Sequence, residues 1–82
     1  MEIAYWRTAT GEEVDFVLDN GHHLLAVEVK ATTRPTLQDA RHLTAFHEEH
    51  GADAPASLLL HCGTEVSWLT PEVLAAPWWT VL

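Results

Sequence analysis

Residues 24–33 read LLAVEVKATT, an apolar run into which Glu28 and Lys30 are set two places apart. A short stretch rich in Leu and Val, closed soon after by Pro35, has the length and composition of a strand. Side chains alternate between the faces of a strand, so Ala26, Glu28 and Lys30 share one face and Leu25, Val27 and Val29 the other. Apolar residues on both faces predict a central strand covered on both sides. Burying an ion costs several kcal/mol even after relaxation, so a glutamate and a lysine retained in such a strand point to a purpose beyond packing.

Working outward, VDFVLD (14–19) alternates Val14, Phe16 and Leu18 with Asp15, Val17 and Asp19, the period of a second strand. Asn20-Gly21 between the two runs is a tight-hairpin dipeptide, which makes the strands antiparallel. A turn centred there sets position 15 opposite about position 26, with Glu28 as the diagonal neighbour of Asp15. EIAYWRT (2–8), ended by the turn at Gly11, is a first strand. TLQDARHLTAFHEEHG (36–51) spaces Leu37, Ala40, Leu43 and Phe46 as one helical face, capped by Thr36 and stopped at Gly51. APASLLLHC (54–62) and EVSWL (65–69) read as fourth and fifth strands. The tail TPEVLAAPWWTVL (70–82) reads as one helical turn at Pro71 followed by paired tryptophans. A helix between the third and fourth strands predicts a right-handed crossover and parallel pairing. The expected architecture is therefore α/β (α+β): a mixed β-sheet with a three-stranded antiparallel meander, a crossover helix and a parallel fourth strand, in one domain over residues 1–82.

The 82 residues carry twelve Asp and Glu against four Lys and Arg, for a net charge of −8. That balance repels phosphate backbones and removes non-specific nucleic-acid binding, so any such role needs metal ions or a partner. A chain this short is near the lower size for a self-sufficient core, which favours association or a larger parent protein. Cys62 is the lone cysteine, which precludes an internal disulfide and suits a reducing compartment. With no apolar run long enough to span a membrane and no signal-peptide pattern at MEIAYWRT, the expected location is the cytoplasm.

Asp15, Glu28 and Lys30 form the constellation with chemical content. Two convergent carboxylates, with a backbone carbonyl such as that of Val29, suit Mg²⁺ or Mn²⁺. Such an ion activates water and stabilises charge on a phosphodiester being cut, while Lys30 would orient the water or neutralise the developing charge. The competing reading of these residues is a structural Glu28–Lys30 ion pair.

These residues also carry a resemblance. GEEVDFVLDNGHHLLAVEVK (11–30) resembles the Asp…Glu-x-Lys signature of the PD-(D/E)XK nuclease-like superfamily. More narrowly, YWRTATGEEVDFVL (5–18), then AVEVKATT (26–33) and a helix, is similar to the C-terminal domain of unknown function that follows the ATPase module in many prokaryotic AAA-type ATPases. The resemblance implies a restriction-endonuclease-like core, metal ligation by Asp15 and Glu28, and a catalytic lysine at Lys30. It also implies a fragment or remnant of a larger ATPase-linked protein. Two departures stand out: the helix with which that core commonly begins has no counterpart before Glu2, and Val14 stands where a proline is expected.

Other polar residues read as surface. Glu12 and Glu13 belong to the turn before the second strand, and His22 and His23 to the hairpin. Those histidines with His61 and Cys62 fit no usual zinc spacing. His42, His47 and His50 read as a solvated helix edge, and Gln38 as exposed helix surface. Arg34 and Arg41 would contact phosphate or pair with Asp39 or Glu48. Trp6 and Trp68 read as core. Trp78 and Trp79 in the PWW tail read as an interface for a second copy or a partner protein. Two functions follow: metal-dependent phosphodiester cleavage of nucleic acid, and a non-catalytic interaction or oligomerisation module associated with an AAA-type ATPase.

Overall fold

A computed structural model describes residues 1–81. Six strands form one mixed sheet: β1 (Glu2–Arg7), β2 (Glu13–Asp19), β3 (Leu24–Val29), β4 (Ala56–His61), β5 (Ser67–Thr70) and β6 (Val73–Pro77), in the spatial order β1-β2-β3-β4-β6-β5. The first three strands form an antiparallel meander. The helix α1 (Arg41–His50) connects β3 to β4, which pair in parallel as expected.

The tail departs from expectation. VLAAP is not a helical turn but the sixth strand, parallel to β4 and inserted between β4 and the short edge strand β5. Its small residues are what the crowded centre of a sheet accepts. Pro77, which cannot donate to the ladder, falls at the strand's last residue, where that loss is tolerated.

The helix is also shorter than its periodicity promised. Thr36 starts a separate turn, in which the Asp39 carboxylate accepts the Thr36 N–H and the Thr36 carbonyl accepts the Asp39 N–H. Leu37 is consequently 65% exposed and takes no part in the core. Gly51 does end the helix, at a φ of 56° that a side chain would resist.

One face of the sheet packs on α1. Leu43 and Phe46 are fully buried against Val14, Val17, Ala26, Leu59, Val73 and Ala75. The opposite face is equally apolar and lies away from α1; Val27, Leu60 and Ala76 on it are buried, while Val29 at the end of β3 is 49% exposed, so the central strand expected to be covered on both sides is only partly covered on this one. Residues paired in register share a face, and Phe16, Val27, Leu58, Leu74 and Trp68 form one unbroken row across five strands. Its ends stand in the open, with Phe16 47% and Trp68 59% exposed, and Tyr5 on the neighbouring edge strand 70% exposed. Trp68 is thus a surface residue, whereas Trp6 is half-buried with its ring edge against Phe46 at a centroid distance of 5.3 Å.

Candidate functional site

Strand register decides what lies beside Glu28. The β2–β3 connection is a four-residue loop, Asn20–His23, rather than a two-residue turn. Asn20 does not adopt the positive φ that the tighter hairpin demands. Its side-chain oxygen instead accepts the N–H groups of both His22 and His23. Lengthening the loop moves the pairing by two positions. Phe16 faces Val27 and Val17 faces Ala26. Continued by one residue, that register sets Asp15 directly opposite Glu28, where the tighter turn would have left the two diagonal.

A second irregularity sits at the same place. Ala4 pairs with Val17 but Trp6 pairs with Val14, so Asp15 and Phe16 together face the single residue Tyr5. This is a β-bulge in β2. It explains how Val14 and Val17, three apart, both reach the core beneath α1, and bulges of this kind re-aim side chains beside functional sites. The regular pairing ends there: the Val29 N–H donates to Asp15 Oδ2 at 2.9 Å, a carboxylate taking the place of a backbone carbonyl.

Glu28 is 4% exposed. Its Oε1 lies 3.9 Å from Lys30 Nζ and 3.5 Å from His42 Nδ1, while its Oε2 is buried with no hydrogen-bond partner. Burial, the largest influence, pushes the Glu28 carboxyl above the ordinary carboxylate range. Lys30 and then His42 oppose that rise, and the charge of Asp15 adds to it. Lys30 continues the β3–β4 ladder through its N–H to the Leu60 carbonyl, which fixes its backbone at the strand end.

His42 is the site residue that sequence reasoning misplaced on a solvated edge. Measured only against His47 it fails the helical pairing spacing, but it lies in the first turn of a helix that starts above the end of β3. A crossover helix returning over the strand that feeds it puts its first turn beside that strand's last residues, and this was the available signal. His47 and His50 are only partly exposed, and their Nδ1 atoms lie 2.8 Å from the Ala54 carbonyl and 3.0 Å from the Phe46 carbonyl.

The remaining candidates disperse. Glu12 closes its turn by accepting the Thr10 and Thr8 hydroxyls, which hold its carboxyl down at about 2. Glu13 pairs with Arg7 at 3.4 Å. Arg41 Nη1 donates to the Gln38 carbonyl and, like Arg34, has no carboxylate partner among the described residues. Both ring nitrogens of the buried His61 are engaged, Nδ1 by the Gly63 N–H and Nε2 by the Glu65 carbonyl. Among the described residues no three His, Cys, Asp or Glu side chains converge as a ready metal-binding set. A Mg²⁺ ion does not require one, since it is commonly held by one or two carboxylates with water or substrate oxygens completing the shell. The orphaned Glu28 Oε2 beside Asp15 fits that pattern. Trp78 and Trp79 stand edge to face, each about half exposed, just beyond β6.

No helix of the described residues is long and apolar enough to cross a membrane. A family model described as a domain of unknown function, DUF4143, matches residues 1–81. No curated protein and no solved structure matches the chain.

Proposed function

Since the chain belongs to the DUF4143 family, whose function is unknown, we propose its activity from its own geometry: a nuclease-like domain of the PD-(D/E)XK kind that cleaves phosphodiester bonds of nucleic acid with Mg²⁺ or Mn²⁺. The observation that carries this reading is the buried Glu28 carboxylate, left with an unpartnered oxygen opposite Asp15 and within 3.9 Å of Lys30. A charge is not kept in such a position for stability, because a well-packed apolar residue would serve better. The meander, crossover helix and parallel β4 support the restriction-endonuclease-like assignment.

Asp15 and Glu28 would hold the ion, which when bound supplies an activated water and offsets charge on the phosphodiester. Asp15 is pinned by the Val29 N–H through one oxygen, which leaves the other for ligation. Lys30 balances the carboxylates and directs its ammonium toward phosphate oxygens. His42 holds Glu28 in place from the helix. The domain would serve as companion to an AAA-type ATPase module.

Calorimetric titration of Mn²⁺ tests the reading directly. The native chain should bind, and Asp15→Asn and Glu28→Gln should each abolish the heat; undiminished binding in either variant overturns the assignment. Lys30→Ala should keep the metal and lose cleavage.

A second reading draws on the exposed apolar ends of the sheet face away from α1 and on Trp78 and Trp79, the proposed interface. Here the domain is a non-catalytic association module for a second copy or a partner protein. Sedimentation over a concentration series decides it: an oligomer that Trp78→Ala with Trp79→Ala dissociates supports it, and a monomer at every concentration removes it.

A further inference from the structure

The net charge of −8 conceals an uneven distribution. Because β1 and β3 are parallel to each other and to β4 and β6, the sheet has a common end where those strands finish. Arg7 closes β1 there, Lys30 follows β3, Arg34 lies in the next loop and Arg41 opens α1. All four Lys and Arg residues are therefore at the end that carries Asp15 and Glu28. The opposite end holds Glu2, Asp19, Glu48, Glu49, Asp53 and Glu72 with no Lys or Arg. Four cations meet six carboxylates at the first end, a local charge of −2, against −6 at the other. A divalent ion on Asp15 and Glu28 would cancel the −2, so the repulsion of phosphate implied by the whole chain does not apply to this end.

A pocket of about 630 Å³ opens at the same end, between the loop after β3 and the loop after β4. Its size is within the range of small-molecule sites, and the ends of parallel strands are where open α/β sheets bind ligands. The lining is mostly polar and includes Thr33, Arg34, His61, Thr64, Glu65 and Ser67. The loops are locked to each other. The Cys62 N–H donates to the Thr32 carbonyl at 2.8 Å, and a Cβ on Gly63 would lie 2.1 Å from the Thr33 carbonyl oxygen. Among the described residues the Arg34 guanidinium has no carboxylate partner, although it borders a cavity containing Glu65.

We propose that this pocket is a nucleotide subsite: it seats one nucleotide of the strand presented to Glu28 and Asp15, with its phosphate on Arg34 and Glu65 accepting hydrogen bonds from its sugar or base. An anion alone would be disfavoured by Glu65, whereas a nucleotide offers an anion and donors at once. The inference rests on the phosphodiester reading above, but it can be tested without metal or turnover.

The probes are a deoxynucleoside 5′-monophosphate and a short single-stranded oligonucleotide, titrated into the isotopically labelled chain without divalent metal and followed by amide chemical shifts. Both should move the amides of Thr33, Arg34 and residues 62–67, with the oligonucleotide also moving Lys30. Arg34→Ala should weaken both by about tenfold or more, as loss of a bidentate charge-assisted contact does, and Arg34→Lys should restore part of it. Glu48→Gln, at the opposite end of the sheet, should bind the monophosphate as the native chain does. Shifts confined to other regions, no shifts at millimolar nucleotide, or shifts indifferent to Arg34→Ala overturn the subsite. Binding that persists in a protein shown not to take up Mn²⁺ leaves the subsite standing and removes the cleavage reading instead.

Discussion

The two faces of the sheet are alike in composition and opposite in circumstance. On one, Leu43 and Phe46 of α1 close over Val14, Val17, Ala26, Leu59 and Ala75, leaving almost none of that surface to solvent. On the other, the row from Phe16 to Trp68 is as apolar but lies away from α1, and both its ends are open to solvent. Glu28, the one buried carboxylate among the described residues, lies on the covered face. Hydrophobic pattern alone therefore states which side chains prefer to leave water, while topology states which ones do.

The largest test of that contrast removes equal rings from opposite sides. Phe46→Ala should cost about 3–5 kcal/mol in denaturant unfolding, the usual loss for a core phenylalanine. Phe16→Ala should cost under about 1 kcal/mol, since the ring is half exposed already. Equal losses would break the comparison and reveal that the open face is covered in solution.

A smaller effect probes the flaw on the covered face. A carboxyl whose value is raised by burial keeps its proton in the fold after the unfolded chain has released it. Stability from that protonated form is present below the ordinary carboxylate range and declines as pH rises through the raised value of Glu28. Glu28→Gln, which never ionises, should thus gain about 1 kcal/mol over the native chain at neutral pH and lose that advantage in acid. Unfolding curves at several pH values give the sign. Glu12 works in the reverse direction: held down at about 2, it favours the fold above the ordinary carboxylate range, and that support fades as pH falls toward its own value. Thr10→Val should flatten this acid limb.

The least effect on stability belongs to the open rim. Tyr5→Ser and Trp68→Ser should change unfolding free energy by no more than about 0.5 kcal/mol, while lowering the fluorescence of a dye that reports exposed apolar surface. Unchanged dye binding would place the apolar surface elsewhere.

How much of this was legible follows from the kind of signal each feature emits. The meander, the β3–β4 crossover and the pairing of Asp15 with Glu28 in one neighbourhood could be read because alternation, a turn dipeptide and a helical period are local. β6 could not, because Val73 to Pro77 is short, alanine-rich and without alternation, and it becomes a strand only between the ladders of β4 and β5. The register of Glu28 was missed by two positions because Asn20 chose to bind backbone amides instead of adopting positive φ. The partial cover of the face away from α1 was invisible for a simpler reason: a strand apolar on both sides reports preference and says nothing of what is available to cover it.

The bulge in β2 has a consequence for how such a chain would change over generations. Loss of a single codon at Phe16 would leave Val14 and Val17 two apart, both still beneath α1, with β2 now a regular strand opposite β1. Asp15 would turn to the other side of the sheet. Descendants could thus separate Asp15 from Glu28 in one step and retain the fold, and a lineage of this family could divide into members with and without that pairing while their cores stayed nearly the same.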